Sequence, residues 1–217
     1  LKKEAVSVDG SSIYLNEGET LILKDLEYGL LLRSGNDAAV AIADYVGGSV
    51  DGFVYLMNEK ARELGMSATS FANPHGLDDH EEHYSSAYDM AQLTRYAMNN
   101  ETFREIFATE RYRAPKEGDE WGRSWRNKNK LQTGLYDYST GGKTGDTKRA
   151  KRTLGSTARK NDMDLIAVTL HAPDDWNDHI AMFEYGFATY ELKTLVPKGK
   201  YKQVKDEFYR GNLIIRQ

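Results

Sequence analysis

The chain has 217 residues, of which 40% are hydrophobic and 29% charged, and its formal net charge is −4. This is enough apolar material for one domain, or one domain and the start of another, while no run approaches the roughly 18 apolar residues that a transmembrane helix needs. The interspersed charges argue against a nucleic-acid binder, and the absence of cysteine excludes disulfides, thiol nucleophiles and CxxC zinc sites.

The first half of the chain predicts mainly helices. Residues 5–20 are expected to form short extended pieces with turns at Asp9-Gly10 and Glu17-Gly18. Residues 66–86 are expected to form a long polar loop, which in a compact domain suggests function. Apolar spacing, Ser49 as an N-cap and Gly65 as a C-terminal glycine place three helices between these segments and two after them. The predicted helices lie at about 21–32, 37–46, 50–64, 87–99 and 102–107.

The second half predicts antiparallel strands and one more helix. A loop with Trp121 and Trp125, expected to be packing or groove residues, leads to the sequence GGKTG at 141–145, just before a pair of strands. The second strand of that pair is an almost continuous apolar run, which is typical of a buried strand. The strands are predicted at 152–158 and 164–171 around a turn at 161–162, followed by a helix at about 177–190 and short strands at 192–196, 201–204 and 213–215. Helices early and antiparallel strands late favour an α+β fold.

Two short motifs are candidates for chemistry. Ser34-Gly35-Asn36 lies between two predicted helices, and Lys143-Thr144-Gly145 precedes the strand pair. Taken alone, the first motif is more simply a helix cap and the second a turn with a solvated lysine. Their meaning therefore depends on the surrounding sequence.

Several blocks of sequence that contain or flank these motifs follow one another in a fixed order. They are GSSIYLNEGE at 10–19, YGLLLRSGNDAA at 28–39, NPHGLD at 73–78 with YSSAYDM at 84–90, GGKTG at 141–145 and YGF at 185–187. Together they closely resemble the D-alanyl-D-alanine carboxypeptidases, serine enzymes of the penicillin-binding-protein group. The resemblance covers nearly the whole chain. It implies the fold of penicillin-binding proteins and β-lactamases, an antiparallel sheet with a helical cluster, here lacking its amino-terminal part.

The family's mechanism implies three elements: a Ser-x-x-Lys that contains the nucleophile, a Ser-x-Asn and a Lys-Thr-Gly. No serine of this chain is followed by a lysine three positions on. By resemblance that element lies a few dozen residues before the GSSIYL block. We therefore expect the chain to be cut before it and to be inactive by itself. The resemblance implies no metal or organic cofactor, since acyl transfer by serine requires none.

The resemblance also gives the remaining motif residues their roles. Ser34 would relay a proton toward the leaving amine, and Asn36 would donate a hydrogen bond to the penultimate amide carbonyl of the substrate. Lys143 would supply positive charge for the anionic end of the substrate. Thr144 would bind the terminal carboxylate, and the strand edge after Gly145 would pair with the extended peptide.

Asp146 departs from the pattern of the family. The residue after Lys-Thr-Gly would supply one backbone donor to the oxyanion, and a neutral residue is expected there. A carboxylate beside the pocket for the substrate's carboxylate should weaken substrate capture, unless Lys148, Arg149 or Lys151 neutralises it. Some relatives also place an arginine after the last core strand, and residues 172–179 offer none.

The polar loop contains residue types that bind metal ions, but the spacing of these residues does not match a known metal site. It contains a group of imidazoles and carboxylates: His75, Asp78, Asp79, His80, Glu81, Glu82 and His83. Their spacing fits neither HExxH nor another zinc pattern, so a solvated loop is predicted. His75 is expected at the rim of the substrate site, where it would orient the loop.

The resemblance implies a peptidoglycan stem peptide ending in D-Ala-D-Ala as substrate and β-lactam antibiotics as inhibitors. It implies no nucleic acid, and membrane contact only through segments outside this chain. The expected location is the bacterial cell envelope, outside the cytoplasmic membrane. We expect a partial catalytic domain at 1–191 and the start of a β-rich domain at 192–217. A non-catalytic peptidoglycan-binding module, or a partner that complements a separate amino-terminal fragment, is the alternative.

Overall fold

The structure, a computed structural model, describes residues 1–78, 80–116 and 118–194, and the backbone of two short strands at 199–201 and 213–215. Seven α-helices lie in these residues: α1 Lys3–Val6, α2 Leu23–Arg33, α3 Asn36–Gly47, α4 Val50–Glu63, α5 Ala87–Ala97, α6 Glu101–Ala108 and α7 Asp175–Thr189. The described strands are β1 Arg111–Lys116, β2 Asp119–Arg126, β3 Ser139–Thr147, β4 Lys151–Lys160, β5 Met163–Leu170, β6 Gly199–Tyr201 and β7 Leu213–Ile215. This order, helices before antiparallel strands, confirms the predicted α+β class.

The helices predicted in the first half are all present, with ends shifted by a few residues. Ser49 caps α4 as expected, since its hydroxyl accepts a hydrogen bond from the amide of Gly52 at 2.9 Å. The expectation that residues 5–20 are extended is wrong at its start, because α1 includes Ala5 and Val6. Four residues do not form a helix by propensity alone, and Ala5 is buried against the core around α2 and α3. Tertiary packing therefore forms α1.

A β-hairpin occupies the segment before residue 127, where a loop was predicted. Strands β1 and β2 pair antiparallel, with Tyr112 opposite Trp125. Ala114 and Trp125 are buried, whereas Arg111 and Arg113 are exposed. The charged outer face hides the strand pattern in the sequence. Trp125 is a packing residue, while Trp121 is 75% exposed.

The central sheet has three described strands in the order β3-β4-β5, all antiparallel. The motif at 143–145 precedes the predicted strand pair, β4 and β5, but it lies inside a further strand, β3, which was not predicted. The apolar run of β5 is also less buried than expected, since Ala167 is its one fully buried residue. Helices α5 and α7 both pack on this strand, which explains its apolar character, and it lies at the end of the described strand order.

The end of the chain is only partly described. The predicted strand at 213–215 is confirmed, and it pairs antiparallel with β6. Residues 192–194 are not in a strand. Residues 195–196 and 202–204 of the other two predicted strands lie outside the described residues. The division into domains at residue 191 stays a prediction.

The segment before the first motif is fastened to α3 by a buried carboxyl group. Asp37 accepts hydrogen bonds from the hydroxyl of Ser12 at 2.6 Å and from the amides of Ile13 at 3.1 Å, Leu15 at 3.2 Å and Ala38 at 2.9 Å. Asp37 is 2% exposed, and Ile13 and Leu15 belong to the buried core. One side chain thus satisfies donors that would otherwise be buried without partners.

Among the described residues, no single helix is long and apolar enough to cross a membrane. Helices α3 and α4 pass that test only when taken together, and the chain bends by 84° between them.

His179 is a buried polar group between α7 and the sheet, and it carries a prediction. The residue is 0% exposed, with Nδ1 2.6 Å from the Ser156 hydroxyl and Nε2 3.0 Å from the Thr169 hydroxyl. Burial lowers its pKa from 6.5 to about 4. As the pH falls, His179 is therefore protonated in the unfolded chain at a higher pH than in the folded chain. We expect the free energy of unfolding to decrease by about 3 kcal/mol between pH 6.5 and 4.

The measurement is chemical denaturation at pH values between 7 and 4, with His179→Gln as the comparison. This variant has no imidazole to titrate, so its stability should change less over the same window, whatever its stability at pH 7. Equal pH slopes for both proteins would show that His179 does not cause the acid sensitivity.

Candidate active site

The Ser34-Gly35-Asn36 motif forms a sharp corner between two helices. Ser34 ends α2 in the left-handed region, with φ 59° and ψ 43°, and Asn36 begins α3. Non-glycine residues rarely adopt this conformation, and serine pays a steric cost there. The amide of Ser34 donates to the carbonyl of Leu30 at 2.9 Å, which closes the last turn of α2. The corner places a hydroxyl between the two helices.

Lys143 of β3 reaches this hydroxyl. Its Nζ donates to Ser34 Oγ at 2.6 Å and to the carbonyl of Thr144 at 2.5 Å. Burial lowers the pKa of Lys143 from 10.5 to about 8, and the positive charge of Lys128 adds to that effect. The structure therefore brings the two motifs together across 109 residues of sequence.

Lys128 is a second cation at the site, and no motif in the sequence predicts its position there. Its Nζ donates to Ser11 Oγ at 3.2 Å, and its amide donates to the carbonyl of Leu32 at 3.2 Å. Burial lowers the pKa of Lys128, and repulsion from Arg33 contributes. Lysine in the loop after β2 follows no recognisable spacing, so only its tertiary position connects it to the motifs. The paired lysines make the site attractive to an anion.

Asn36 faces the segment of the GSSIYL block. Its Nδ2 donates to the carbonyl of Asp9 at 2.6 Å, and its amide donates to the carbonyl of Ser11 at 2.7 Å. Gly10 lies so close that a Cβ there would stand 2.6 Å from Nδ2. One of the two amide hydrogens of Asn36 is thus engaged within the protein. Its proposed donation to substrate would use the other.

Thr144, Gly145 and Asp146 follow Lys143 along β3. They pair with Leu154, Thr153 and Arg152 of β4. A side chain at residue 145 would collide with the hydroxyl of Thr153, because a Cβ there would lie 2.4 Å from it. Glycine therefore lets the strands approach at this point. Asp146 is exposed, and its cross-strand partner is Arg152, which is none of the three cations expected near it, Lys148, Arg149 and Lys151.

The long polar loop holds the turn that follows β3. Asp78 Oδ2 accepts hydrogen bonds from the amides of Arg149 at 2.6 Å and Ala150 at 3.1 Å. A hydrogen bond from Thr147 is the main reason why the pKa of Asp78 falls to about 2, and the two backbone amides contribute. The carboxylate of Asp78 therefore attaches the loop to the end of β3, the strand that carries Lys143.

His75 lies within the loop, half-buried. Its Nδ1 accepts a hydrogen bond from the amide of Leu77 at 3.3 Å. The Asn73 side chain fastens the same turn, donating to the carbonyl of Leu77 at 2.8 Å and accepting from the amide of Gly76 at 2.7 Å. Among the described residues, which leave out Asp79 of this loop, no group of three or more His, Asp or Glu residues is arranged to hold a metal ion.

Comparisons with known proteins identify the family to which the chain is similar. The family model described as D-alanyl-D-alanine carboxypeptidase matches residues 2–174. The chain is 38% identical over 216 residues to D-alanyl-D-alanine carboxypeptidase DacF of Bacillus subtilis, covering 95% of this chain and 54% of that protein. It is 36% identical over 191 residues to DacC of Escherichia coli, covering 85% of this chain and 46% of that protein. The chain thus spans about half the length of these two relatives.

Solved structures show the same fold. A D-alanyl-D-alanine carboxypeptidase from Mycobacterium tuberculosis superposes with a TM-score of 0.82 at 29% identity, over 88% of this chain and 73% of that one. A single-residue variant of the Streptomyces K15 DD-transpeptidase superposes with a TM-score of 0.77 at 32% identity, over 82% of this chain and 73% of that one.

Proposed function

The chain belongs to the D-alanyl-D-alanine carboxypeptidase family, and from this premise we propose that its site serves the removal of the terminal D-alanine from peptidoglycan stem peptides. The observation that carries the proposal is the hydrogen bond from Lys143 to Ser34, which joins the Ser-x-Asn and Lys-Thr-Gly elements at 2.6 Å. The family likeness supports the substrate class and a location in the bacterial cell envelope.

The reaction proposed is an acyl transfer in two steps. A serine hydroxyl attacks the carbonyl of the penultimate D-alanine, the C–N bond breaks, and free D-alanine leaves as an ester forms on the serine. Water then hydrolyses the ester and regenerates the hydroxyl. Because Lys143 donates to Ser34 Oγ, the hydroxyl hydrogen of Ser34 is available for the leaving amine. Ser34 is therefore the proposed proton relay.

Substrate recognition is assigned to the charges and donors around that relay. Lys143 and Lys128 attract the terminal carboxylate, and Thr144 offers it a hydroxyl. Asn36 is proposed to hold the penultimate amide carbonyl, and the amide of Asp146 to donate to the oxyanion. A β-lactam would enter the same site, since it presents a carboxylate beside a reactive amide.

A second function is favoured by one observation. Residues 1–217 contain no Ser-x-x-Lys, so the covalent step needs a nucleophile from outside them. A chain that recognises stem peptides without cleaving them, or that complements a separate fragment, would use the same carboxylate site. The two proposals differ in whether a covalent adduct can form.

Intact mass after incubation with a penicillin tests the proposed function. We expect an adduct on a version extended upstream of Leu1, and none on the 217-residue chain. Ser34→Ala in the extended version should slow adduct formation without altering the mass of the adduct. An adduct on the 217-residue chain would identify a reactive serine outside the proposed mechanism. Absence of an adduct on both forms would support the binding module instead.

A further inference from the structure

Asp146 places a carboxylate next to a site that is proposed to bind another carboxylate. The register of β3 and β4 puts Arg152 directly opposite Asp146, and cross-strand partners project from the same face of a sheet. A hydrogen bond to Asp175 raises the pKa of Arg152, and the charge of Asp146 adds to that effect. Arg152 is therefore the cation that faces Asp146.

Arg152 is held in one orientation by the start of α7. Its Nη2 donates to Asp175 Oδ1 at 2.5 Å, and the Asp175 side chain is only 3% exposed. The guanidinium carbon lies 5.5 Å from the centre of the Trp176 ring. The amide of Ala172 donates to the Arg152 carbonyl at 3.1 Å. The guanidinium is thus fixed before any ligand arrives.

This fixed guanidinium has donors to spare. Arginine carries five N–H donors in a planar fork that matches a carboxylate. The Nε of Arg152 is buried and has no hydrogen-bond partner, while the side chain as a whole is 39% exposed. The accessible end of Arg152 can therefore donate hydrogen bonds to an anion while Nη2 keeps its hydrogen bond to Asp175.

The position of Arg152 relates it to Thr144. Thr144 and Asp146 are two residues apart in β3, so they lie on one face, and Thr144 pairs with Leu154, two residues beyond Arg152. Such diagonal neighbours have Cα atoms about 7–8 Å apart, within reach of a long side chain. The register therefore places Arg152 within side-chain reach of the hydroxyl proposed to take the substrate's carboxylate.

We propose that Arg152 is the specificity-determining residue for the terminal carboxylate of the substrate, which it binds together with Thr144. It would replace the arginine that residues 172–179 lack. This inference rests on the proposed function. It also makes Asp146 a competitor of the substrate's carboxylate for Arg152. Asp146 attracts the same guanidinium, so substrate is captured against the pull of an internal carboxylate.

Binding of two peptides to the 217-residue chain tests the inference. The probes are N-acetyl-L-Lys-D-Ala-D-Ala and the same peptide with a carboxy-terminal amide, followed by NMR titration. The unaltered chain should prefer the acid. Arg152→Ala should weaken binding of the acid about tenfold and leave the amide unaffected, because one charged hydrogen bond is lost. Asp146→Asn should strengthen binding of the acid.

Two further variants keep the test decisive. Arg152→Lys retains a positive charge beside Asp175 but lacks the planar fork of the guanidinium. Its preference for the acid peptide should fall, and this variant still tests the inference if the Arg152→Ala chain does not fold. Arg159→Ala, on the same strand and paired with exposed Asp162, should change nothing. A full preference for the acid in both Arg152 variants would overturn the role of Arg152 alone. No preference in the unaltered chain would overturn the proposed carboxylate site as well.

Discussion

Replacing Asp37 by alanine is expected to lower the free energy of unfolding by about 4 kcal/mol, because buried donors lose their shared acceptor. The amides of Ile13 and Leu15 and the hydroxyl of Ser12 all donate to this carboxyl group. Each buried donor left without a partner costs about 1–3 kcal/mol. Urea denaturation followed by circular dichroism measures the loss.

Asp44→Ala is the matched control for Asp37. Both residues lie in α3, but Asp44 forms an ion pair with Lys2, which is 66% exposed in its side chain. Ion pairs of this kind contribute at most about 1 kcal/mol. If the two alanine variants were equally stable, the buried carboxyl group would not be what fastens the GSSIYL segment.

Lys143→Met is expected to separate binding from stability. Methionine has a similar length but no charge, so the affinity for the acid peptide should fall about a hundredfold, the upper range for a hydrogen bond to a charged group. The melting temperature should not fall, since burial of the ammonium group is costly, as its pKa of about 8 indicates. NMR titration and thermal denaturation of the same sample measure both quantities.

The pH dependence of binding gives an independent readout of Lys143. Its pKa is lowered to about 8, so the charge proposed to attract the carboxylate is present below that pH and is lost above it. Affinity for the acid peptide should therefore decline as the pH rises through 8, where an ordinary lysine would remain charged. The exposed Lys148, replaced by methionine, should leave this profile unchanged. A decline that persists in Lys143→Met would assign the titration to another group.

The helical part of the fold was predictable because its signals are local. Ser49 and Gly65 mark helix ends within a few residues of themselves, and apolar spacing gives the faces between them. The hairpin was missed because the alternation of β1 is carried by one buried alanine, Ala114, between a charged residue and a proline. Periodicity cannot identify a strand whose inward face has so little apolar character.

The residues of the candidate site also fall into two groups, those that sequence motifs predict and those that only the folded structure identifies. Ser34 and Lys143 were found through their motifs, and the structure places them in hydrogen-bond contact. Lys128 and Arg152 were not found, because nothing adjacent to them in sequence indicates what they face. Their relevance comes from strand register and from the path of the loop after β2. Such relations are properties of the folded chain.

The contacts that build the site join distant parts of the chain. Lys143 meets Ser34 across 109 residues, Lys128 meets Ser11 across 117, and Asp78 meets Arg149 across 71. Closing such long loops costs entropy before the contacts form, so local helices have a kinetic advantage over the site. The helices around Ser34 can thus form before the contacts of the candidate site do. A peptide held by both motifs would bind only the completed fold, and would shift the folding equilibrium toward it by mass action.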